Sequence, residues 1–259
     1  MTLIYEPKGR AREYSPLALN IYSSGCQHQC DYCYCRTMTA WGNAPKPRNL
    51  ASLEKEAEYA SKQILLSFMS DPYQPAEKEY RKTRKALEIL KLCACSVAIL
   101  TKGGLLAMRD LDLFESWPDR RVKIGATLTF VSNEKSLARE SGAALPDERF
   151  EMLKRFHENG IETWASIEPV IDPDESIAAI QKTLPFVDGY KIGKLNHKKT
   201  DTDWRAFGEH AVRIVRSAKK KLYVKDDLRA EMKTFAFRPE ECNPATMFLP
   251  ERKDSFCLV

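Results

Sequence analysis

Seven short β-rich runs alternate with helical patterns along this chain, and that alternation limits the folds open to it more than any other feature. The runs are LALNIYS (17–23), ILLSFMS (64–70), SVAILT (96–101), VKIGATLTF (122–130), IETWASI (161–167), GYKIG (189–193) and LYVK (222–225). Most are bounded by Gly, Pro or Asp, residues that end strands. Between them, SLEKEAEYASKQ (52–63), EYRKTRKALEILKL (79–92), DERFEMLKRFHENG (147–160) and DTDWRAFGEHAVRIVRSA (201–218) read as helices, with Asn159-Gly160 as a stop. A strand, a helix and a second strand in series make a parallel pair with a right-handed crossover. The chain offers six or seven such units where a closed barrel has eight. The expected fold is therefore α/β: a partial (β/α)6-type TIM barrel of parallel strands with outer helices. A length of 259 residues suits one domain over 1–259, with the barrel core at about 15–235 and a C-terminal tail at about 236–259. The tail carries Pro239, Pro244 and Pro250 and no βα pattern; it is expected to close one end of the barrel or to meet a partner.

In such barrels the chemistry sits on the loops that leave the C-terminal ends of the strands. The loop after the first run reads SSGCQHQCDYCYCRTM, and four of the eight cysteines lie between Cys26 and Cys35. The start, MTLIYEPKGRAREY, lacks the apolar core of a secretory signal, and no apolar run approaches the roughly 18–20 residues of a membrane span. The expected location is cytoplasmic with no membrane, where clustered cysteines call for a metal or redox explanation in place of disulfides. Cys26, Cys30 and Cys33 are spaced C-x3-C-x2-C. Three thiolates on one loop can take three irons of a [4Fe-4S] cubane and leave the fourth iron open. S-adenosyl-L-methionine (SAM) can chelate an open iron through its amino and carboxylate groups. The competing reading is a structural zinc site made of these three cysteines with Cys35 or His28. Zinc knuckles pair C-x2-C with a distant second pair, and Cys93 and Cys95, beside a β-rich run, read as core. Cys35 reads as a small residue packed in the loop.

The C-x3-C-x-aromatic-C pattern, with Tyr32 before the last cysteine, resembles the signature of the radical SAM superfamily. Its flank, IYSSGCQHQCDYCY, resembles the spore photoproduct lyase-like branch, the DNA repair photolyases. The segments SFMSDPYQPAE (67–77), ILTKGGLLAMRDLDLF (99–114) and LPDERFEMLKRFHENGIETWASIEPVI (145–171) extend the likeness to roughly residues 15–230. The resemblance implies an enzyme that cleaves SAM reductively to a 5'-deoxyadenosyl radical, which takes a hydrogen atom from substrate. It further implies that Tyr32 and Tyr34 lie along the cofactor, and that Ser70 and Asp71 receive the amino group of its methionine. Lys102 is similar to the lysine that reaches the methionine carboxylate. Thr127 or Thr129 offers a hydroxyl to the cofactor, and Glu168 contacts SAM or substrate. An electron donor such as a flavodoxin or ferredoxin is implied as a partner.

The same resemblance breaks at one residue. Spore photoproduct lyase proper uses a cysteine as hydrogen donor after the second strand, and here Phe68 stands in that place. Cys35, Cys242 and Cys257 are the remaining candidate thiols, and no second C-terminal cysteine cluster marks a second iron-sulfur site. The formal charge of +5 and pI near 8.7 are mildly basic, far from a dedicated nucleic-acid binder. Lys191, Lys194, Asn196 and Lys225 follow the last two runs and are expected to bind an anionic substrate, a nucleic acid or nucleotide, at the barrel mouth. Arg81, Lys82, Arg84 and Lys85, like Lys219–Lys221, read as exposed charges. Two readings of another class stay open: a zinc-binding or nucleic-acid-binding protein, and an electron-transfer iron-sulfur protein with Cys35 as fourth ligand.

Overall fold

The structure is a computed structural model that describes residues 2–37, 42, 44–196 and 200–252. Its centre is one eight-stranded sheet in sequential order: β1 (Ile4–Tyr5), β2 (Leu17–Leu19), β3 (Ile64–Leu66), β4 (Val97–Thr101), β5 (Val122–Thr127), β6 (Glu162–Ile167), β7 (Gly189–Ile192) and β8 (Lys221–Val224). From β2 to β8 every neighbour pair is parallel. These seven strands are the seven β-rich runs. The first and last strands are not paired, so the barrel is open. The two-residue β1, too short to show a period, adds antiparallel to β2.

Several strands stop short of their apolar runs. Pairing ends at Leu19 in the run 17–23, at Leu66 in 64–70 and at Thr127 in 122–130. The residues beyond these points leave the sheet and build the mouth. The expected helix at 79–92 is split at Arg81, whose left-handed backbone (φ 47°) separates Glu77–Tyr80 from Lys82–Leu92. The helix Pro173–Thr183, not read from its apolar spacing, begins at a strong signal. Asp172 accepts from the backbone N–H of Asp174 and Glu175, and Pro173 follows it at the first helical position.

The main core lies between the outer face of the sheet and the helices, with Ile64, Ile99, Ile124, Leu153 and Val212 among its fully buried members. A second, separate apolar cluster lies on the inner face: Leu65, Ala98 and Trp164, packed against Tyr14, Phe68 and Leu100.

Two segments stop the ends of the open barrel. The turn Gly9–Glu13 crosses to the β8 side, where the Glu13 carboxylate accepts from Tyr223 Oη and from the N–H of Asp226. Lys191 Nζ donates to the carbonyls of Glu13 and Tyr14. At the N-terminal strand ends, Lys123 Nζ donates to Met247 O, Ser96 Oγ to Pro250 O, and Leu249 N to Gln63 Oε1. These contacts seat residues 247–252 across that end. Among the described residues, no helix is long and apolar enough to cross a membrane.

Candidate active site

The cysteine loop leaves β2 through Gly25, whose φ of +79° and 2.1 Å approach of a would-be Cβ to Ala44 O admit no other residue without strain. The loop is anchored on two sides. On one side Gln27 N donates to Gln74 Oε1 and Ala76 N donates to Gln27 Oε1, tying it to the loop after β3. On the other, Gly142 N donates to His28 O and Arg139 pairs with Asp31 at 2.6 Å. A Cβ on Gly142 would sit 1.9 Å from Gln27 O, so this contact needs glycine.

Held this way, Cys26, Cys30, Cys33 and Cys35 all open into one cavity of about 600 Å³ at the C-terminal strand ends. Among the described residues no three Cys, His, Asp or Glu side chains converge on one metal-sized point. Burial raises the Cys26 thiol to about 12, helped by the nearby charge of Asp71. Burial raises Cys30 as well. A hydrogen bond with Cys35 lowers Cys33 to about 6 and raises Cys35. Cys35 Sγ also lies 3.5 Å from Met69 O. The donor set is compatible with a cluster: four thiols from one loop face one cavity, three of them at the C-x3-C-x2-C spacing. Cys95 is buried in the core, Cys93 lies beside it, Cys242 lies outside the cavity, and Cys257 falls outside the described residues.

The other expected cofactor residues, Tyr32, Tyr34, Ser70, Asp71, Lys102, Thr127 and Glu168, line the same cavity. Ser70 Oγ is buried with no hydrogen-bond partner among the described residues of the chain. Lys102 Nζ stands 3.7 Å from Glu140 Oε1 and 5.1 Å from the centre of the Tyr32 ring. Tyr34 Oη donates to Phe68 O at 2.8 Å. Thr127 faces the cavity, while Thr129, beyond the end of β5, turns inward and donates to Glu140 Oε1.

Asp71 departs from its expected role. Its carboxylate accepts from Tyr73 N, Thr101 Oγ1 and Lys102 N, and His28 Nε2 is 3.2 Å away. Burial opposes its ionisation, yet His28, Thr101 and the Lys102 N–H together hold it down at about 2. These bonds make Asp71 a clamp on the loops around the cysteines, while it also lines the cavity. The His28 ring is anchored through Nδ1, which donates to Gly142 O.

The lysines past the last two strands also fall out differently from a basic rim. Lys191 is 2% exposed and sits under Tyr14 and Trp164, where burial pushes it well below its ordinary value. Lys225 is buried between Glu168 at 2.5 Å and Glu13 at 3.3 Å. Burial alone would lower its ammonium; Tyr14, Glu168 and Glu13 outweigh that and raise it. Lys194 pairs with Glu231, and Asn196 donates to Glu168 Oε1. An anion site built from Lys191, Lys194 and Lys225 is therefore not what the fold makes.

Three partners escaped the sequence reading. Glu140 accepts from Tyr32 Oη, Ser136 Oγ and Arg149 Nη2. Arg149 donates on to Thr127 O and Ala144 O. Tyr14 Oη donates to Glu168 Oε2 at 2.8 Å. A buried Glu–Arg pair leaves no mark on a helical pattern, because each charge reads as a solvated face until a partner is seen.

The sequence profile of the radical SAM superfamily matches residues 20–187. An uncharacterized protein of Methanocaldococcus jannaschii is 34% identical over 183 residues, 67% of this chain and 68% of that one. Among solved structures, a spore photoproduct lyase variant superposes with a TM-score of 0.65 at 11% identity, covering 82% of this chain and 77% of the lyase. Streptococcus suis SuiB bound to S-adenosylmethionine superposes with a TM-score of 0.63 at 13% identity, over 85% of this chain and 53% of SuiB. At these identities the likeness is one of fold, and the chain spans about half the length of SuiB.

Proposed function

Because the chain belongs to the radical SAM superfamily, we propose that Cys26, Cys30 and Cys33 hold a [4Fe-4S] cluster and that the surrounding cavity binds SAM. The observation that supports this reading is the shared cavity: the thiols of Cys26, Cys30 and Cys33, with Cys35 beside them, the unpartnered hydroxyl of Ser70 and the ammonium of Lys102 open into it together. When bound, the cluster and cofactor supply a 5'-deoxyadenosyl radical that takes a hydrogen atom from substrate.

The chain's own part is to hold the reactants. Gln27, His28 and Asp31 pin the cysteine loop so that the thiols keep their spacing. Lys102 presents its ammonium for a charge-assisted contact with the methionine carboxylate, and Ser70 Oγ offers an acceptor to the amino group. Glu140 and the Tyr32 ring hold that ammonium in place. Asp71 acts by fixing Lys102 N and His28. Thr127, Glu168 and Tyr34 line the same cavity and would contact the cofactor or substrate. An external one-electron donor, a flavodoxin or ferredoxin, belongs to the same reading. Membership of the spore photoproduct lyase-like branch rests on the flank of the cysteine motif and the shared fold. The lyase's own hydrogen donor is replaced by Phe68, which packs edge-on to Tyr14 with ring centres 6.1 Å apart.

Anaerobic purification with iron and sulfide analysis, followed by assay of 5'-deoxyadenosine from SAM and a reductant, tests the proposal. Cys26→Ala, Cys30→Ala and Cys33→Ala each lose the cluster, and Cys35→Ala keeps it. A Cys35→Ala protein as empty as the others would make the site a four-thiolate one without an open iron.

A further inference from the structure

Resting on the SAM reading above, we infer that the part of the substrate entering the barrel is a neutral hydrocarbon group, aliphatic or phenyl. It is seated on the inner floor made by Leu65, Phe68 and Leu100 beside Tyr14. Three observations converge on this.

The first is charge. Apart from Lys102, which the reading above gives to SAM, the lysines and arginine lining the cavity are answered by the chain's own carboxylates: Lys225 by Glu13 at 3.3 Å and Glu168 at 2.5 Å, Arg10 by Asp227 at 3.3 Å, and Lys194 by Glu231. Only the exposed Lys8 lacks such a partner among the described residues. The rim pairs of Arg10 and Lys194 are partly exposed and hold little energy. The Lys225 pairs are buried, and an anion could use that lysine only by stripping carboxylates from an ammonium with no water to replace them. Deep in the cavity, charge is balanced before any substrate arrives.

The second is the floor. Leu65, Phe68 and Leu100 belong to the apolar cluster on the inner face of the sheet, which is separate from the main core and built on Trp164. Most interior hydrophobic groups of this protein are shielded between sheet and helices. These three instead line the cavity.

The third is that the polar groups around that floor, among the described residues, are engaged with one another. Tyr14 Oη is engaged with Glu168 and Ser166, Trp164 Nε1 donates to Ile99 O at 3.1 Å, and Ser67 Oγ donates to Ser70 O at 2.5 Å. The N–H groups of Phe68 and Met69 both donate to Asn20 Oδ1. A nucleobase read by its edges needs open donors and acceptors. A hydrocarbon needs none, and it gains from leaving water.

Isothermal titration of the anaerobic, cluster-loaded, SAM-saturated protein tests this with four probes: N-acetyl-L-leucinamide, N-acetyl-L-phenylalaninamide, thymidine and thymidine 5'-monophosphate. The expected result is binding of at least one amide, with an affinity that does not change between low and high salt. Phe68→Ser and Leu100→Ser should each weaken it about tenfold or more, while Lys194→Gln leaves it unchanged. If a serine variant does not fold, Leu100→Asn, closer in volume, must show the same loss. The inference is overturned if neither amide binds, if thymidine or its monophosphate binds more tightly than both amides, or if affinity falls steeply with salt. SAM is titrated first in the same protein. If SAM does not bind, the proposed function fails; if SAM binds and the amides do not, only this inference fails.

Discussion

Lys191 on β7 and Lys102 just past β4 both point into the same barrel, and the chain treats them in opposite ways. Lys191 donates to the carbonyls of Glu13 and Tyr14 and is ringed by Tyr14, Trp164, Tyr223 and Phe248. Its donors are used by the backbone that closes the barrel, and no ligand can reach it. Lys102 faces the cavity with one carboxylate 3.7 Å away and an aromatic ring beside it. That leaves donor capacity for an incoming anion. A strand-end lysine is thus a binding residue or a structural one according to whether the chain's own oxygens have already filled it.

The largest effect that would sharpen this contrast is expected at Glu140. It is buried against Arg149 at 2.5 Å and orders both Tyr32 and Lys102. Glu140→Ala leaves the Arg149 guanidinium buried and unpaired, which should cost about 3–5 kcal/mol in denaturant unfolding. A loss below about 1 kcal/mol would show that the pair is already hydrated and does not organise the mouth.

Next comes the pair of lysines themselves. Lys102→Met should weaken SAM binding by roughly ten- to a hundredfold, the value of one charge-assisted bond. Lys191→Met should leave SAM affinity unchanged and show its cost, about 1–3 kcal/mol, only in stability, because two carbonyls lose their donor. Equal SAM affinities in the two variants would erase the distinction drawn between them.

A further contrast concerns the closed end of the barrel. Burial lowers Lys123 to about 8, with Glu162 only partly opposing. Between about 8 and the ordinary lysine value near 10.4 the unfolded chain holds a proton that the folded protein has shed. The folded state therefore gains stability as pH rises through that window, and carries a constant penalty below it. In Lys123→Met the difference curve against the parent should lose this rise. A parallel pair of stability–pH curves would mean that Lys123 titrates as it does in water.

The alternation of apolar runs and helical patterns was enough to identify all seven parallel strands, because buried strands declare themselves by local composition. The spacing of Cys26, Cys30 and Cys33 was equally legible, because all three lie on one loop. The short antiparallel β1 left no such trace, since two residues cannot show a period.

Polar residues delivered from different elements were legible only as candidates. Asp71, Lys191, Lys194 and Lys225 all stand at or near strand ends, and position alone made each a plausible contact. Their fates depend on Glu13, Thr101, His28 and Glu231, partners contributed by distant stretches of chain. Sequence by itself determined the parallel strands of the open barrel and the loop that carries the clustered thiols. Which charges are free and which are spent was decided by tertiary structure alone, because hydrogen-bond capacity is consumed by whatever the fold brings within about 3 Å, and that neighbour is rarely a neighbour in sequence.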